Sequence, residues 1–267
     1  MKGLAEWIYK NKKLMNGANR IRNKISADKN KVIFTNVHNA GNQIKIEGEG
    51  SLLSFEGNEG YLRYGKVVVD GQNNNIRIGN ASTLTGGCSF RIIGNNNTVK
   101  IGQNSSLLGF SIYILGNNNH ITIGNNVSVV LTSLHIEESE NSVVIGNCTT
   151  FHGRDNSIIE LALDEGTSIK IGEDCMISND VCFRSSDSHS ILNENGERIN
   201  PAGDIVISNH VWIGMRALIL KNTVISANCI IGAGSICNKD YKKDNCLIAG
   251  NPAKIIKEKV NWSRERL

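Results

Sequence analysis

The chain has 267 residues, a formal net charge of +4 and 20% charged residues. That charge is too small for a dedicated nucleic-acid-binding domain, and no apolar run approaches the roughly 20 residues of a membrane-spanning helix. Asn occurs 36 times, Ile 35 times and Gly 27 times, against two Pro. Asn tolerates left-handed turns and Ile favours strands, so this joint excess predicts many short strands joined by tight turns. It argues against a helical bundle or a doubly wound α/β fold.

Residues 1–30 are predicted to form a basic helical segment. Residues 1–31 hold nine Lys or Arg and two acidic residues, and Leu4, Trp7 and Ile8 offer an apolar helix face. Two interpretations stay open: a helix that covers the first rung of the fold, or a contact with a membrane surface or a polyanion. The segment has no apolar signal-peptide core, so we expect a cytoplasmic protein, at the inner face of the membrane if the second interpretation holds.

Residues 31–254 are predicted to form one repeat domain. Asn-Asn-Asn occurs at 73–75, 95–97 and 117–119, and each triplet precedes a short strand that ends in Ile-Gly. One such rung cannot bury its own apolar face, so the rungs must stack. We interpret the tripled Asn as a corner stack that hydrogen-bonds along the axis, rather than as a ligand site.

Beyond the irregular rungs the period shortens to six residues. Six residues suit one flat side of a triangular solenoid, and three such sides make a coil of about 18 residues. The pattern therefore predicts an all-β solenoid, with the polar residues 183–204 as a projecting loop and residues 255–267 as a C-terminal helix. The six-spaced positions are Ile207, Ile213, Ile219, Ile225, Ile231 and Cys237.

This six-residue repeat resembles that of the hexapeptide-repeat acyltransferases, whose fold is a left-handed parallel β-helix. Within that family the chain is most similar to the capsular and exopolysaccharide O-acetyltransferases, including the polysialic acid and colanic-acid-type enzymes. The resemblance covers roughly residues 70–264 and implies a homotrimer that uses acetyl-CoA. It rests on four ordered motifs: Asp187-Ser188-His189, His210-Val211-Trp212-Ile213-Gly214, Ile231-Gly232-Ala233-Gly234-Ser235 and Ala249-Gly250-Asn251-Pro252-Ala253-Lys254.

The resemblance assigns His189 as the general base that removes the proton of the acceptor hydroxyl. A neutral imidazole suits this task, with an unperturbed pKa near 6.5; the alternative is a solvated loop histidine. Asp187 is expected to orient the ring, although a backbone carbonyl would serve as well. Trp212 is expected to line the site as an outward wall, or to pack at a subunit interface. No covalent acetyl-enzyme is expected, since none of the seven Cys lies in a recognised nucleophile motif.

The resemblance also implies an acetyl-CoA site on the last coils, where small residues expose backbone to the pantetheine arm and lysines meet the phosphates. For each lysine, a solvated surface charge is the alternative. A zinc site would need several imidazoles converging on one ion, and neither an H-x4-H pair nor a Cys/His cluster occurs, so no metal is expected. The expected cofactor contacts are Gly214, Met215, Ala217, Ala233, Asn238, Lys239, Lys254 and Lys257.

These observations predict an acetyl-CoA-dependent O-acetyltransferase that acts on a cell-surface polysaccharide or its precursor. We expect a homotrimer with active sites between subunits, and no nucleic-acid partner. One alternative is an N-acyltransferase acting on an amino sugar or a nucleotide sugar. A non-enzymatic structural solenoid would require a flat Thr-x-Thr face, which the sequence lacks.

Overall fold

The structure is a computed structural model that describes residues 8–10, 23–35, 37–57, 60–154 and 158–265. The predicted all-β solenoid is confirmed: the chain winds through three parallel sheets, and each coil passes from face 1 to face 2 to face 3. No helix occurs within the described ranges. It follows that no described helix is long and apolar enough to cross a membrane.

Each face is a ladder of short strands. Face 1 contains β1 (Ile8–Lys10), β3 (Lys31–Thr35), β6 (Leu52–Phe55), β9 (Asn75–Ile78), β12 (Thr98–Ile101), β15 (His120–Ile123), β18 (Ser142–Ile145), β21 (Ser168–Ile171), β24 (Ile205–Ile207) and β27 (Thr223–Ile225). Face 2 contains β4 (His38–Ala40), β7 (Tyr61–Arg63), β10 (Thr83–Thr85), β13 (Ser106–Leu108), β16 (Ser128–Val130), β19 (Thr150–His152), β22 (Met176–Ile177), β25 (Trp212–Ile213), β28 (Ile230–Ile231), β30 (Cys246–Gly250) and β31 (Ala253–Glu258). Face 3 contains β2 (Lys24–Ser26), β5 (Gln43–Glu47), β8 (Lys66–Asp70), β11 (Ser89–Ile93), β14 (Ser111–Leu115), β17 (Thr132–Glu137), β20 (Ile159–Leu163), β23 (Cys182–Arg184), β26 (Leu218–Leu220) and β29 (Ile236–Cys237).

The predicted change of period is a change of coil length. Val99 pairs with Ile121, 22 positions later, whereas Ile205 pairs with Thr223, 18 positions later. The coil between Ile169 and Ile205 is the longest of these, because it contains the projecting loop. The six-spaced aliphatic residues all point inward and are at most 2% exposed, so each hexapeptide contributes one side chain to the core.

The Asn triplets fill one corner, as the sequence predicted. Asn119 donates to Asn97 Oδ1 through its backbone N and its Nδ2, both at 3.0 Å, and Asn141 donates to Asn119 Oδ1 in the same way. All three side chains are fully buried. The residue before each triplet's buried Asn takes a left-handed conformation, with φ of 57° at Asn96 and Asn118, so one Asn makes the turn while the next one joins the ladder.

The first triplet is displaced by one residue relative to the others. Its buried member is Asn74, the second of the three, and Asn97 stacks on it 23 positions later. The sequence spacing of 22 therefore understates the length of this coil by one residue.

The predicted terminal helices are not found where the chain is described. Ile8–Lys10 and Lys24–Ser26 are strands, and residues 1–7 and 11–22 lie outside the described residues. The C-terminal helix predicted from residue 255 is wrong, because Ala253–Glu258 forms a strand antiparallel to β30. A hairpin on the last coil satisfies backbone groups at the end of face 2, which a helix would leave unpaired.

Residues 260–265, which we call the C-terminal strap, return along face 2. The Trp262 ring stacks on the His210 ring with centroids 4.3 Å apart, and its Nε1 donates to the His210 carbonyl at 2.9 Å. Arg264 donates to Asp174 Oδ1 at 2.9 Å and to the Cys175 carbonyl at 2.8 Å. Burial raises the pKa of the Asp174 carboxyl, but hydrogen bonds and charges from Arg264 and His210 outweigh it and hold this pKa below 3.8.

We expect Asn119→Ala to lower the free energy of unfolding by about 2–4 kcal/mol. The backbone N–H of Asn141 and the Glu138 carbonyl each lose a hydrogen-bond partner in a buried corner, and each unsatisfied buried group costs about 1–3 kcal/mol. Denaturant unfolding measures the change. Thr122→Ala, at an exposed position on β15, is the control and should stay within about 0.5 kcal/mol of wild type. Equal stability of the two variants would contradict a structural role for the Asn stack.

We expect Arg264→Ala to lower the free energy of unfolding at pH 7 by about 1–2 kcal/mol, because it removes a partly exposed ion pair and hydrogen bonds to backbone carbonyls. The pKa of Asp174 is depressed in the folded protein, so this stabilisation is present above pH 3.8 and disappears as pH falls through the lower folded value.

The free energies of unfolding of wild type and Arg264→Ala, measured between pH 3 and 7, check this pH dependence. The stability difference should narrow below pH 3.8. Lys242→Ala removes a cation from a more exposed ion pair, so it should leave stability nearly unchanged over the same range. A difference between wild type and Arg264→Ala that is constant with pH would show that the strap does not act through the Asp174 carboxylate.

Candidate active site

The loop that contains His189 leaves the solenoid at the corner between faces 3 and 1. It begins after β23 and ends before β24, and its two ends are joined by a hydrogen bond of 2.8 Å from Gly203 N to the Ser185 carbonyl. Because the loop has no neighbouring rung, its own side chains must supply the partners that backbone ladders supply elsewhere.

Asn200 organises the Asp187-Ser188-His189 motif. Its Nδ2 donates to Asp187 Oδ2 at 2.7 Å and to the His189 carbonyl at 2.8 Å, while its Oδ1 accepts from Ile191 N at 2.7 Å. Lys221 Nζ from the next coil donates to the same Asp187 oxygen at 2.6 Å. The hydrogen bonds from Lys221 and Asn200 hold the pKa of Asp187 below its ordinary value, so this carboxylate stays ionised near neutral pH.

A second ion pair fixes the segment of the loop that returns to the solenoid. Arg198 donates to both carboxylate oxygens of Glu165, at 2.7 and 2.5 Å, and Ser186 Oγ donates to the same carboxylate at 3.2 Å. Arg198 lowers the pKa of Glu165, which keeps the acceptor charged. Bidentate ion pairs of this kind restrict the relative orientation of the two side chains more than single contacts do.

His189 itself is exposed, and its ring makes no hydrogen bond to any described residue. Asp187, which was expected to orient this ring, is instead bound by Lys221 and Asn200. Through Asn200, Asp187 fixes the backbone of the motif rather than the imidazole. Ser188 takes a left-handed φ of 62°, and Arg184 donates to its hydroxyl at 2.9 Å.

Three buried or partly buried cysteine thiols are unsuited to nucleophilic catalysis. Burial raises the pKa of Cys175 to about 11 and that of Cys237 to about 12. Burial and the neighbouring Glu160 raise the pKa of Cys182 to about 12. All three are protonated at neutral pH, and a protonated thiol is a poor nucleophile. This agrees with a direct transfer that forms no acetyl-enzyme on these residues.

An open groove of about 1020 Å³ lies on the face 1 side of the loop. Asn238 and Lys239 line it, opposite the end of the loop at Ala202–Asp204. Its open shape and the exposed Lys239 ammonium suit an extended, phosphorylated ligand such as coenzyme A. The structure thus brings two expected cofactor contacts to the corner that holds His189.

The other expected cofactor contacts lie elsewhere. Met215 and Ala233 are exposed at the corner between faces 2 and 3, and Lys254 and Lys257 are exposed on β31. Gly214 and Ala217 are buried, so their side-chain positions contact the protein interior rather than a ligand. A Cβ at Gly214 would lie 2.7 Å from Ala233 N, so tight stacking of coils explains this glycine.

Trp212 is on face 2, the side of the triangle opposite the corner that bears the His189 loop. Its indole is half-buried between Met176 and Ile230 of neighbouring coils, and its ring centroid lies 6.2 Å from that of Trp262. One chain therefore does not bring Trp212 and His189 together.

Among the described residues, no group of three or more His, Cys, Asp or Glu side chains could hold a metal ion. Among the functional residues that the sequence did not indicate are Asn200, Lys221, Arg198 and Glu165. They act through contacts that span 11–34 positions of sequence, and no local motif marks them.

Comparison with known proteins gives one consistent result. No family model matches the chain. A polysialic acid O-acetyltransferase of Neisseria meningitidis is 39% identical over 196 residues, which cover 73% of this chain and 88% of that protein. The crystal structure of the polysialic acid O-acetyltransferase OatWY has a TM-score of 0.68 at 38% identity, covering 74% of this chain and 91% of that one. The polysialic-acid-specific acetyltransferase NeuO has a TM-score of 0.66 at 34% identity, covering 75% and 83%.

The similarity extends over most of the relative as well as most of this chain. The chain belongs to the O-acetyltransferase family that includes the polysialic acid O-acetyltransferases, and it is an acyltransferase.

Proposed function

We propose that the protein transfers the acetyl group of acetyl-CoA to a hydroxyl of a sialic-acid-containing capsular polysaccharide, with His189 as the general base. The observation that carries this proposal is the placement of the His189 loop. Asn200, Asp187 and Lys221 hold its backbone while the imidazole stays exposed, and the end of the loop at residues 202–204 lines a groove together with Lys239. The sugar comes from the relatives, which are named for polysialic acid.

In the proposed reaction a ring nitrogen of neutral His189 accepts the proton of the acceptor hydroxyl as its oxygen attacks the thioester carbon. The tetrahedral intermediate then collapses, the carbon–sulfur bond breaks, and the imidazolium returns its proton to the coenzyme A thiolate. The products are an acetyl ester and free coenzyme A, and the histidine ends neutral. Fixing the loop backbone beforehand reduces the entropy lost on reaching this geometry.

We further propose that the site is completed by a neighbouring subunit in a homotrimer. Outward positions on the coils after residue 205 are mainly aliphatic, unlike the mainly polar outward positions of earlier coils; examples are Val206, Leu218, Leu220, Val224, Ile230 and Ile236. The loop itself exposes three large aliphatic side chains, Ile191 at 54%, Leu192 at 56% and Ile199 at 58%. Partly exposed apolar surface of this kind favours contact with another chain.

A second copy that placed its face 2 against this corner would bring Trp212 and Lys254 to His189. The N-acyltransferase alternative has no observation in its favour, and the chemical product separates it from the main proposal. An ester is cleaved by mild alkali, whereas an amide is not.

We expect His189→Ala to keep the fold and the affinity for coenzyme A, and to lower kcat by about 10²–10⁴-fold, because a positioned general base contributes that much. Release of the coenzyme A thiol in the presence of a sialic acid oligomer measures turnover. His152→Ala, at an exposed position on face 2, serves as the control and should keep full activity.

Near-wild-type turnover of His189→Ala would show that another group is the base. Absence of thiol release by wild type with every glycan offered, together with no binding of acetyl-CoA, would contradict the proposed function as a whole.

Mixed assemblies test the shared site. His189→Ala and Trp212→Ala subunits are each expected to be at least tenfold less active alone. In a cyclic trimer, every mixed assembly contains one interface that joins an intact His189 to an intact Trp212. Random mixing at equal amounts should therefore restore about one quarter of wild-type activity. Verified mixed trimers that show no recovery would contradict a site that is shared between subunits.

A further inference from the structure

The C-terminal strap, residues 260–265, crosses several coils at the corner where face 1 meets face 2. At its start, Val260 N donates to the Asn245 carbonyl at 2.9 Å. Near its end, Arg264 donates to the Cys148 carbonyl at 3.3 Å, in a coil that lies four positions further down the stack on face 2. The strap therefore runs against the direction of the solenoid and passes the turn that precedes β25.

One side chain anchors the strap. Trp262 is 8% exposed, and it is the one buried residue between Lys254 and Glu265. Its ring lies almost parallel to the His210 imidazole, with an interplanar angle of 8°, and its Nε1 donates to the His210 carbonyl at 2.9 Å. The Arg264 guanidinium carbon lies over the same indole, 5.7 Å from the ring centroid. The orientation of the Trp262 ring is therefore fixed by contacts on its face and at its nitrogen.

The imidazole on which Trp262 lies is itself held in place. Burial raises the pKa of Asp174 less than Arg264 and His210 lower it, so its carboxylate is ionised near neutral pH. An ionised carboxylate only accepts hydrogen bonds, so His210 Nδ1 donates to Asp174 Oδ2, at 2.7 Å. His210 has a left-handed φ of 54° in the turn that leads into β25, two residues before Trp212. The strap thus fixes the turn from which that strand starts.

Trp212 lies beside this anchor on face 2. Within its column it is flanked by Met176 and Ile230 of the neighbouring coils, which limit movement of the indole along the solenoid axis. Across the face, the Trp262 ring lies at a centroid distance of 6.2 Å with a tilt of 49°, an arrangement typical of favourable aromatic pairs. The hydrogen bond from Trp212 Nε1 to Ser178 Oγ is long, at 3.4 Å. Rotation of the indole toward the corner is therefore restricted chiefly by Trp262.

We propose that Trp262 is a positioning residue of the transferase, which holds the Trp212 indole in the one orientation that lines the active site of a neighbouring subunit. This rests on the proposed function and deepens it, because the shared site then depends on the C-terminal strap as well as on the coils. Rotation about its two side-chain torsions gives an indole about six rotamers. A freed Trp212 is then in the correct rotamer roughly one sixth of the time, and the fraction of competent sites falls accordingly.

The first test is the kinetics of strap variants, measured by thiol release with a sialic acid oligomer. Trp262→Ala is expected to lower kcat about fivefold and to leave the KM for acetyl-CoA within about twofold of wild type. Trp262→Phe keeps a flat ring on His210 and should retain kcat within about twofold. Ser263→Ala, at an exposed position of the same strap, is the matched control and should keep full activity. Asn119→Ala loses stability at a distant corner, so its unchanged kcat would separate positioning from a general loss of stability.

Combined substitutions test whether Trp262 acts through Trp212. If it does, adding Trp262→Ala to Trp212→Ala should change kcat by less than about twofold, because the side chain that Trp262 positions is already absent. Effects that multiply, with the double variant about fivefold below Trp212→Ala, would show that Trp262 acts by another route and would overturn the proposal.

Fluorescence reports the mobility of the Trp212 indole without any turnover. The chain has three tryptophans, so Trp7→Phe combined with either Trp262→Phe or Trp262→Ala leaves Trp212 as the sole tryptophan. We expect a lower fluorescence anisotropy of Trp212 with Ala at position 262 than with Phe, because the indole rotates more freely on the nanosecond timescale. Arg264→Ala, added to the variant with Phe, loosens the strap without removing either ring. It should lower the anisotropy too, which keeps the test available if Trp262→Ala does not fold.

Three results would overturn the positioning role and leave the proposed function intact. They are a kcat of Trp262→Ala equal to that of wild type, an equal fall of kcat in Trp262→Ala and Asn119→Ala, or an anisotropy of Trp212 that is unchanged when the strap is altered. Absence of thiol release and of acetyl-CoA binding in wild type would instead overturn the proposed function. The anisotropy comparison would then still decide whether Trp262 orients Trp212.

Discussion

The hydrogen-bonded stacking of one coil on the next is the constraint on which the rest of this structure depends. A single coil leaves its backbone donors and acceptors open on both sides, and only neighbouring coils in fixed register satisfy them. The buried ladder through Asn97, Asn119 and Asn141 fixes that register at one corner, because each amide serves both a side chain and a backbone group of the adjacent coil. A slip by one residue would break the ladder and turn the aliphatic side chains outward.

Fixed register also aligns the outward side chains into columns. Tyr113, His135, Ala162 and Arg184 form one column on face 3, although they span 71 positions of sequence. A column of this kind can present a surface along the axis, with its composition set coil by coil. The cavity beside Ala162 arises where one short side chain interrupts a column of long ones, so its position follows from stacking rather than from any local motif.

Much of the architecture was predictable because it repeats. The same inward position recurs in each coil. The six-residue spacing from Ile207 to Cys237 and the spacing of the Asn triplets therefore indicate which residues are buried. The terminal elements were less predictable. β31 is almost entirely exposed and shows no alternation of buried and exposed residues, so neither a strand nor a helix leaves a clear pattern there. Its conformation depends on pairing with β30, which sequence periodicity does not report.

The candidate site, too, could be predicted from the sequence only in part. His189 could be assigned by resemblance from a local motif, but the support of its loop could not. Lys221 meets Asp187 from the next coil, and Arg198 meets Glu165 across the base of the loop. These pairs depend on which coil the loop interrupts and on how it folds back. The sequence interpretation that paired Asp187 with the His189 ring used their proximity in sequence, whereas the three-dimensional contacts direct that carboxylate to Asn200.

The positions of the expected site residues around the solenoid explain why, in the proposed arrangement, a single chain does not form a complete active site. A triangular solenoid points its three corners and three faces in different directions, so side chains on opposite sides cannot converge across the packed core. His189 and Lys239 are on one side, and Trp212 and Lys254 are on the other. Assembly through the aliphatic outer surface of the regular coils can bring these two sides together. The longer, more polar coils before them would then stay outside that contact.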